Sequence, residues 1–170
     1  MKKMIYSFLG LLLPCLMLLS TQASATSGST TATASISYQV GSINVMSISG
    51  APSALSITSA NVTPCTAIPS VTDSSTTYSV TSNSSNASIS AALTSALPTG
   101  VTLNVSLALP TGSSATSTAQ NLSTTSQTLV TGISKLVISS QPITYTLSVA
   151  VTAGVIASTT NTVTYTIAGS

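Results

Sequence analysis

Beyond the first 25 residues, three side chains could do ionic or nucleophilic chemistry: Cys65, Asp73 and Lys135. The chain has no His, one acidic residue and three basic ones, and two of the basic ones, Lys2 and Lys3, stand at the N-terminus. Arg and Glu do not occur. Nucleophilic catalysis of the Ser-His-Asp or Cys-His kind therefore lacks its base, and hydrolysis by paired carboxylates lacks its second carboxylate. A zinc or other transition-metal site lacks its ligands, and there is no Trp to stack on a sugar ring. With the residue types behind most general acid-base work missing, the sequence argues against an enzyme and calls for no cofactor and no metal.

Asp73 and Lys135 permit one covalent device. Some surface sandwiches close an isopeptide bond from a buried Lys to an Asn with help from a buried carboxylate, and these residue types are present. Against it, Asp73 lies in VTDSS, a polar stretch where an Asp caps a turn, and Lys135 follows Ser134 on a strand expected at an edge. Lysine on an edge is an ordinary guard against unwanted pairing. Cys65, in NVTPCTAIPS, is the one cysteine downstream of the apolar leader, so it can form no internal disulfide. It is a free thiol, a buried apolar side chain or an intermolecular bridge, with the buried or inert reading favoured. Asn-x-Ser/Thr triplets begin at Asn61, Asn83, Asn86, Asn104 and Asn121, as chance dictates in a chain so rich in Ser and Thr.

The leader itself reads as a signal peptide over residues 1–25. Lys2 and Lys3 form the charged region, Met4 to Ser20 the apolar run, and Ala23-Ser24-Ala25 the small-residue cleavage site. The run is short for a membrane span and holds Pro14, so no span is expected in the mature chain. Removing Lys2 and Lys3 takes the formal net charge from +2 to zero, with Lys135 balanced by Asp73. No basic patch survives, which argues against nucleic acid or an anionic membrane surface as a partner. A secreted or extracytoplasmic location follows, with residues 26–170 as one Ser/Thr-rich domain.

What positions these few groups is β-structure. Pro142 to Ala153 reads PITYTLSVAVTA, with Ile143, Tyr145, Leu147, Val149 and Val151 alternating against Thr and Ser, and this predicts a long half-buried strand. Shorter alternations predict strands over Ala34–Val40, around Ile43–Ile48 with phase breaks near Gly41 and Val45, and over Ala54–Ser59. A loop over Ala60–Ser75 follows, then Thr76–Thr81 and Ala87–Leu93 as a hairpin about SNSSN. ALPTG occurs at 96–100 and again at 108–112, and the two copies read as turns bounding a strand with Val101, Leu103, Val105 and Leu107. Ser113 to Ser126 is a low-complexity loop or weak edge strand, Gln127–Thr131 and Ile133–Ser139 give short strands, and Asn161–Ile167 gives the last. About eight or nine short strands without a convincing helix predict an all-β fold, an antiparallel β-sandwich of immunoglobulin-like or pilin-like form.

A sandwich with almost no charge has few means of guarding its edges. In this, in its alternating Ala34–Val40 and in its Tyr165-bearing final strand, the chain resembles bacterial fimbrial and spore-coat-U-like exported subunits, in architecture rather than in a specific motif. The resemblance implies a subunit completed by a strand from its neighbour, and the donor residues would be Ala34, Ile36, Tyr38 and Val40. The expected function is a structural or adhesive surface protein that associates with itself or with other surface proteins, with filament assembly by strand exchange as the sharper form. The alternative is a self-contained sandwich that binds a surface polysaccharide or another ligand.

Overall fold

Strict alternation in the sequence becomes strict alternation in burial at ASISAAL, where Ala87, Ile89, Ala91 and Leu93 are buried and the residues between them are not. In the computed structural model, which describes residues 28–169, this strand lies in the middle of one of two antiparallel sheets. The strands are β1 (Asn44–Ser49), β2 (Val71–Ser82), β3 (Ala87–Leu93), β4 (Val101–Leu107), β5 (Thr116–Ser117), β6 (Gln120–Asn121), β7 (Gln127–Ile133), β8 (Leu136–Val149) and β9 (Val163–Ala168). One sheet has the order β1-β2-β8-β4-β6 and the other β5-β7-β3-β9. The inner faces meet in one core that includes Tyr78, Ile89, Leu107, Leu129, Ile138 and Ile143, each at most 1% exposed. Burying each such side chain contributes about 1.5–3 kcal/mol. Among the described residues there is no α-helix, only 3-10 turns at Ser59–Asn61 and Val151–Ala153, and no helix is long and apolar enough to cross a membrane.

β8 is the spine of the larger sheet, paired with β2 on one side and β4 on the other. It begins six residues before the proline that was expected to open it. Pro142 fits inside because its carbonyl accepts from the Ala108 amide at 3.0 Å, so its missing N–H faces the same side, past the last β4 pair at Leu107 and Ile143. The inward set changes parity along the strand, from Ile138 to Ile143 and Tyr145, and the slip is taken up at Ser139-Ser140, where Ser140 has φ 49°. At the other end the strand stops at Val149, and Val151, expected inward, sits in the 3-10 turn and is exposed.

Several expectations need correction. β2 and β3 do not form a hairpin, since the turn after Ser82 carries the chain from one sheet to the other. Residues 54–58 form no strand, although Leu55 still packs against the core, and the expected loop over Ala60–Ser75 ends early because β2 begins at Val71. The low-complexity segment holds β5 and β6, one on each sheet, and stitches that side shut. The Thr118 amide bonds the Leu129 carbonyl at 2.8 Å, the Leu122 amide bonds that of Leu103 at 2.8 Å, and the Leu122 side chain is buried. Both ALPTG copies are turns, as expected. In each, the amide after the Gly bonds the proline carbonyl, from Val101 to Pro98 at 3.0 Å and from Ser113 to Pro110 at 3.1 Å, with Gly100 and Gly112 at φ 80° and 82°.

The chain divides into two units, Met1–Tyr38 and Gln39–Ser170, and both sheets belong to the second. The described part of the first, residues 28–38, has no regular secondary structure and is exposed. The strand expected over Ala34–Val40 is therefore not formed, and Ile36, Tyr38 and Val40 are 84%, 92% and 75% exposed. The signal peptide expected over residues 1–25 lies outside the described residues.

Candidate functional site

The two sides of the sandwich are built differently. On one, β5 and β6 are edge strands of two residues each, tied across by the segment they share. On the other, β1 and β9 are edges of six residues, each paired on one side only. Asn44 closes one end of the seam between them. Its Oδ1 accepts from Ser82 Oγ at 2.8 Å and Ser84 Oγ at 3.0 Å, and its Nδ2 reaches the Gly169 carbonyl at 3.4 Å. Asn83 fastens the approach to β1 by accepting from the Ile43 amide at 2.7 Å and donating to the Gly41 carbonyl at 2.8 Å.

The other end of the seam is open. A cleft of about 310 Å³ lies there between Ile48 and the Gly50–Pro52 turn on one lip and Asn161–Val163 on the other, with Thr76, Tyr145 and Tyr165 at its floor and walls. Each lip is anchored from behind. Thr94 donates its amide to the Thr162 carbonyl at 2.9 Å, and Asn161 Nδ2 donates to the Ser95 carbonyl at 2.7 Å. Opposite, Gly50 takes φ 81°, a turn conformation that favours glycine, and Ser75 Oγ reaches the Ala51 carbonyl at 3.5 Å.

A bulge in β2 builds the floor. Between Asp73, opposite Tyr145, and Thr76, opposite Ile143, the register slips. Asp73 Oδ1 holds the slip by accepting from Ser75 Oγ at 2.8 Å and from the Ser75 amide at 3.1 Å, and these bonds lower the carboxyl pKa. After the slip Thr76 points inward. Its hydroxyl is fully buried and, alone among the described buried side-chain polar atoms, has no hydrogen-bond partner. Such an atom costs about 1–3 kcal/mol. Beside it the Tyr165 hydroxyl donates to that of Tyr145 at 2.9 Å, and burial pushes both phenols up. No charged side chain lines the cleft.

The residues singled out by type fall elsewhere. Asp73 and Lys135 are not brought together. Asp73 is in β2, not in a loop, and Lys135 is at the β7–β8 turn with φ 45°, its amide bonded to the Ser84 carbonyl near the far end of β2. Nine residues of strand separate Asp73 from Ser82, which partners Leu136, a distance of about 30 Å. Lys135 is exposed and Asp73 is only partly covered, so neither is the buried group that an isopeptide bond requires. Cys65 is exposed with φ 65°, not buried. What the sequence held but did not reveal was Thr76 and the two tyrosines. The signal was there as a parity break, since Val71 and Asp73 alternate outside the phase of Thr76, Tyr78 and Val80 only if a bulge intervenes. Comparison with protein-family models, with curated proteins and with solved structures gives no match.

Proposed function

We propose that this chain is an exported, non-enzymatic structural or adhesive surface subunit that associates by strand addition, the segment Ala34–Val40 serving as the added strand. One observation carries the reading: Ile36, Tyr38 and Val40 alternate as a strand does, yet stand 84%, 92% and 75% exposed without a ladder partner. An extended segment of this kind gains main-chain hydrogen bonds and buries alternate side chains when it joins an open edge. Among the described residues there are two such edges of useful length, β1 and β9, and neither carries a charged residue to discourage pairing.

The test is to express residues 26–170 and 41–170 and examine both by size exclusion and electron microscopy. The longer chain is expected to form concentration-dependent oligomers or filaments, and the shorter one to stay a folded monomer. A longer chain that stays monomeric at high concentration would sink the reading.

A second reading, a module for a neutral polysaccharide, is favoured by the outer face of the larger sheet. There Thr72, Thr146, Asn104 and Asn121 stand in register, linked by contacts of 3.3 Å between the threonines and 3.0 Å between the asparagines. Affinity electrophoresis against neutral glycans, repeated with Thr146→Lys, separates it from strand addition, which that change leaves intact.

A further inference from the structure

We propose that Tyr145 and Tyr165 are a cross-linking site, at which a haem peroxidase supplied with hydrogen peroxide joins the two rings as dityrosine and staples one sheet of the sandwich to the other. Of the tyrosines in the described residues these two alone are hydrogen-bonded to each other, the Tyr165 hydroxyl donating to that of Tyr145 at 2.9 Å. Tyr38 stands in solvent at 92% exposure, and Tyr78 is fully buried with its hydroxyl on the Ala108 carbonyl at 2.6 Å. Tyr145 lies on β8, the spine of the larger sheet, and Tyr165 on β9, a free edge of the smaller. A bond between them spans the two sheets at the open end of their seam. Nothing else among the described residues offers that tie, since Cys65 is a free cysteine and Asp73 and Lys135 lie far apart.

The cleft lets the chemistry reach the pair. Both rings line it, so electrons can pass to an oxidant at its mouth and protons to water, and its volume of about 310 Å³ is room for one ring to slide past the other. That slide is short, because the ortho carbons that form the bond flank the hydroxyls already in contact. Holding the partners together makes the coupling of two phenoxyl radicals an intramolecular step. Each phenol gives up one electron and one proton. The radicals join ortho carbon to ortho carbon, and the hydrogens displaced there return to the oxygens as the rings regain aromaticity. In sum, two hydrogen atoms leave the protein, and one hydrogen peroxide takes them up to become two waters. Asp73 favours the departure of the electron. It is the register partner of Tyr145, and its negative charge, second to burial, holds the Tyr145 phenol above its ordinary pKa. The same charge stabilises a ring short of an electron.

The test treats the full chain, mixed as equal parts isotopically light and heavy protein and kept dilute, with a haem peroxidase and limiting hydrogen peroxide. The expected product is a monomer with dityrosine fluorescence, in which peptide mapping finds Tyr145 joined to Tyr165 within one isotope and two hydrogens lighter. Tyr165→Phe is expected to abolish the fluorescence of the monomer, and Tyr38→Phe to leave it unchanged. Dityrosine formed only through Tyr38, or only between light and heavy chains, would overturn the proposal, as would none under conditions that convert free tyrosine. Should Tyr165→Phe fail to fold, the map of the unaltered chain decides alone. The cross-linked monomer should also melt about 10 °C higher, because the bond closes a loop between residues 20 apart and so restrains the unfolded chain. An unchanged Tm would show that the bond forms only in an opened chain, and would overturn the staple.

Discussion

Replacing Thr76 by Val tests whether its buried hydroxyl carries a real energetic cost. The two side chains have nearly the same shape, so the change removes a buried, unpartnered hydroxyl and supplies a methyl in its place. Relief of the desolvation cost is about 1–3 kcal/mol, and the methyl adds about 0.8 kcal/mol of apolar burial. Allowing for imperfect fit in a packed core, Thr76→Val should stabilise the free subunit by about 1–2 kcal/mol, or about 3–8 °C in Tm for a unit of this size. The assay is urea and thermal unfolding by circular dichroism at a concentration below association. Thr81→Val on the exposed face of the same strand serves as the control for strand propensity and should stay within about 0.5 kcal/mol. A gain in midpoint without a change in m-value is the expected signature. Destabilisation beyond about 0.5 kcal/mol would show that the hydroxyl is bonded in solution, to a trapped water for instance, and the reasoning about an unpartnered buried hydroxyl would fail.

Stability against pH should be flat from about pH 5 to 9 and fall in alkali. Burial pushes the Tyr78 phenol up to about 12, and raises Tyr165 further because it also donates its proton to Tyr145. The unfolded tyrosines ionise near 10, so the stabilisation is complete below that value and is lost as pH rises through the folded pKa, at up to about 1.4 kcal/mol per pH unit per tyrosine. Asp73 acts in the opposite direction: its bonds from Ser75 depress the folded pKa, so its contribution is present above about 3.8 and is lost as pH falls below. Urea midpoints taken from pH 3 to 12 check both limbs, and a marked slope between 5 and 9 would contradict them. At the closed end of the seam, Gly169→Ala would place a Cβ 2.7 Å from that of Ala87 and 3.0 Å from Ser84 Oγ. It should cost about 1–3 kcal/mol in the same unfolding assay, and a neutral result would mean that the end of β9 is free to shift.

The alternating apolar residues made the sheets legible. Ile89, Ala91 and Leu93 on β3, and Ile143 and Tyr145 on β8, face the core as their period-two spacing predicts, and the turn chemistry of Pro98-Thr99-Gly100 and its second copy marked both ends of β4. Pairing was not legible, because alternation tells a strand which face to bury and not which neighbour to take. Hence β2 and β3, adjacent in sequence across a four-residue polar turn, went to different sheets. β5 and β6 were hidden because two-residue strands leave no period to detect. The cleft was hidden for a related reason. It depends on the slip at Asp73–Thr76, and a bulge reverses the sense of every later side chain while leaving the local composition unchanged.

The arrangement of the edges gives the near-absence of charge its structural meaning. Proteins guard open strands with charge, proline, bulges, short edges or a covering segment. This chain uses the last two on one side only, where β5 and β6 are two residues long and the loop that bears them spans both sheets. On the other side β1 and β9 run six residues each, and Lys135, the one cation of the described residues, sits at the β7–β8 turn rather than on either edge. The fold thus concentrates its unguarded backbone on one side and leaves an apolar cleft there. Had the lack of charge been mere composition, both sides would be equally open. If the exposed side serves association, Thr164→Lys, on the solvent face of the β9 edge, should abolish it with little effect on folding, whereas Thr116→Lys on β5 should leave association intact. Sedimentation of the two variants decides it, and equal behaviour would mean that the asymmetry of the edges has no bearing on how copies of this chain meet.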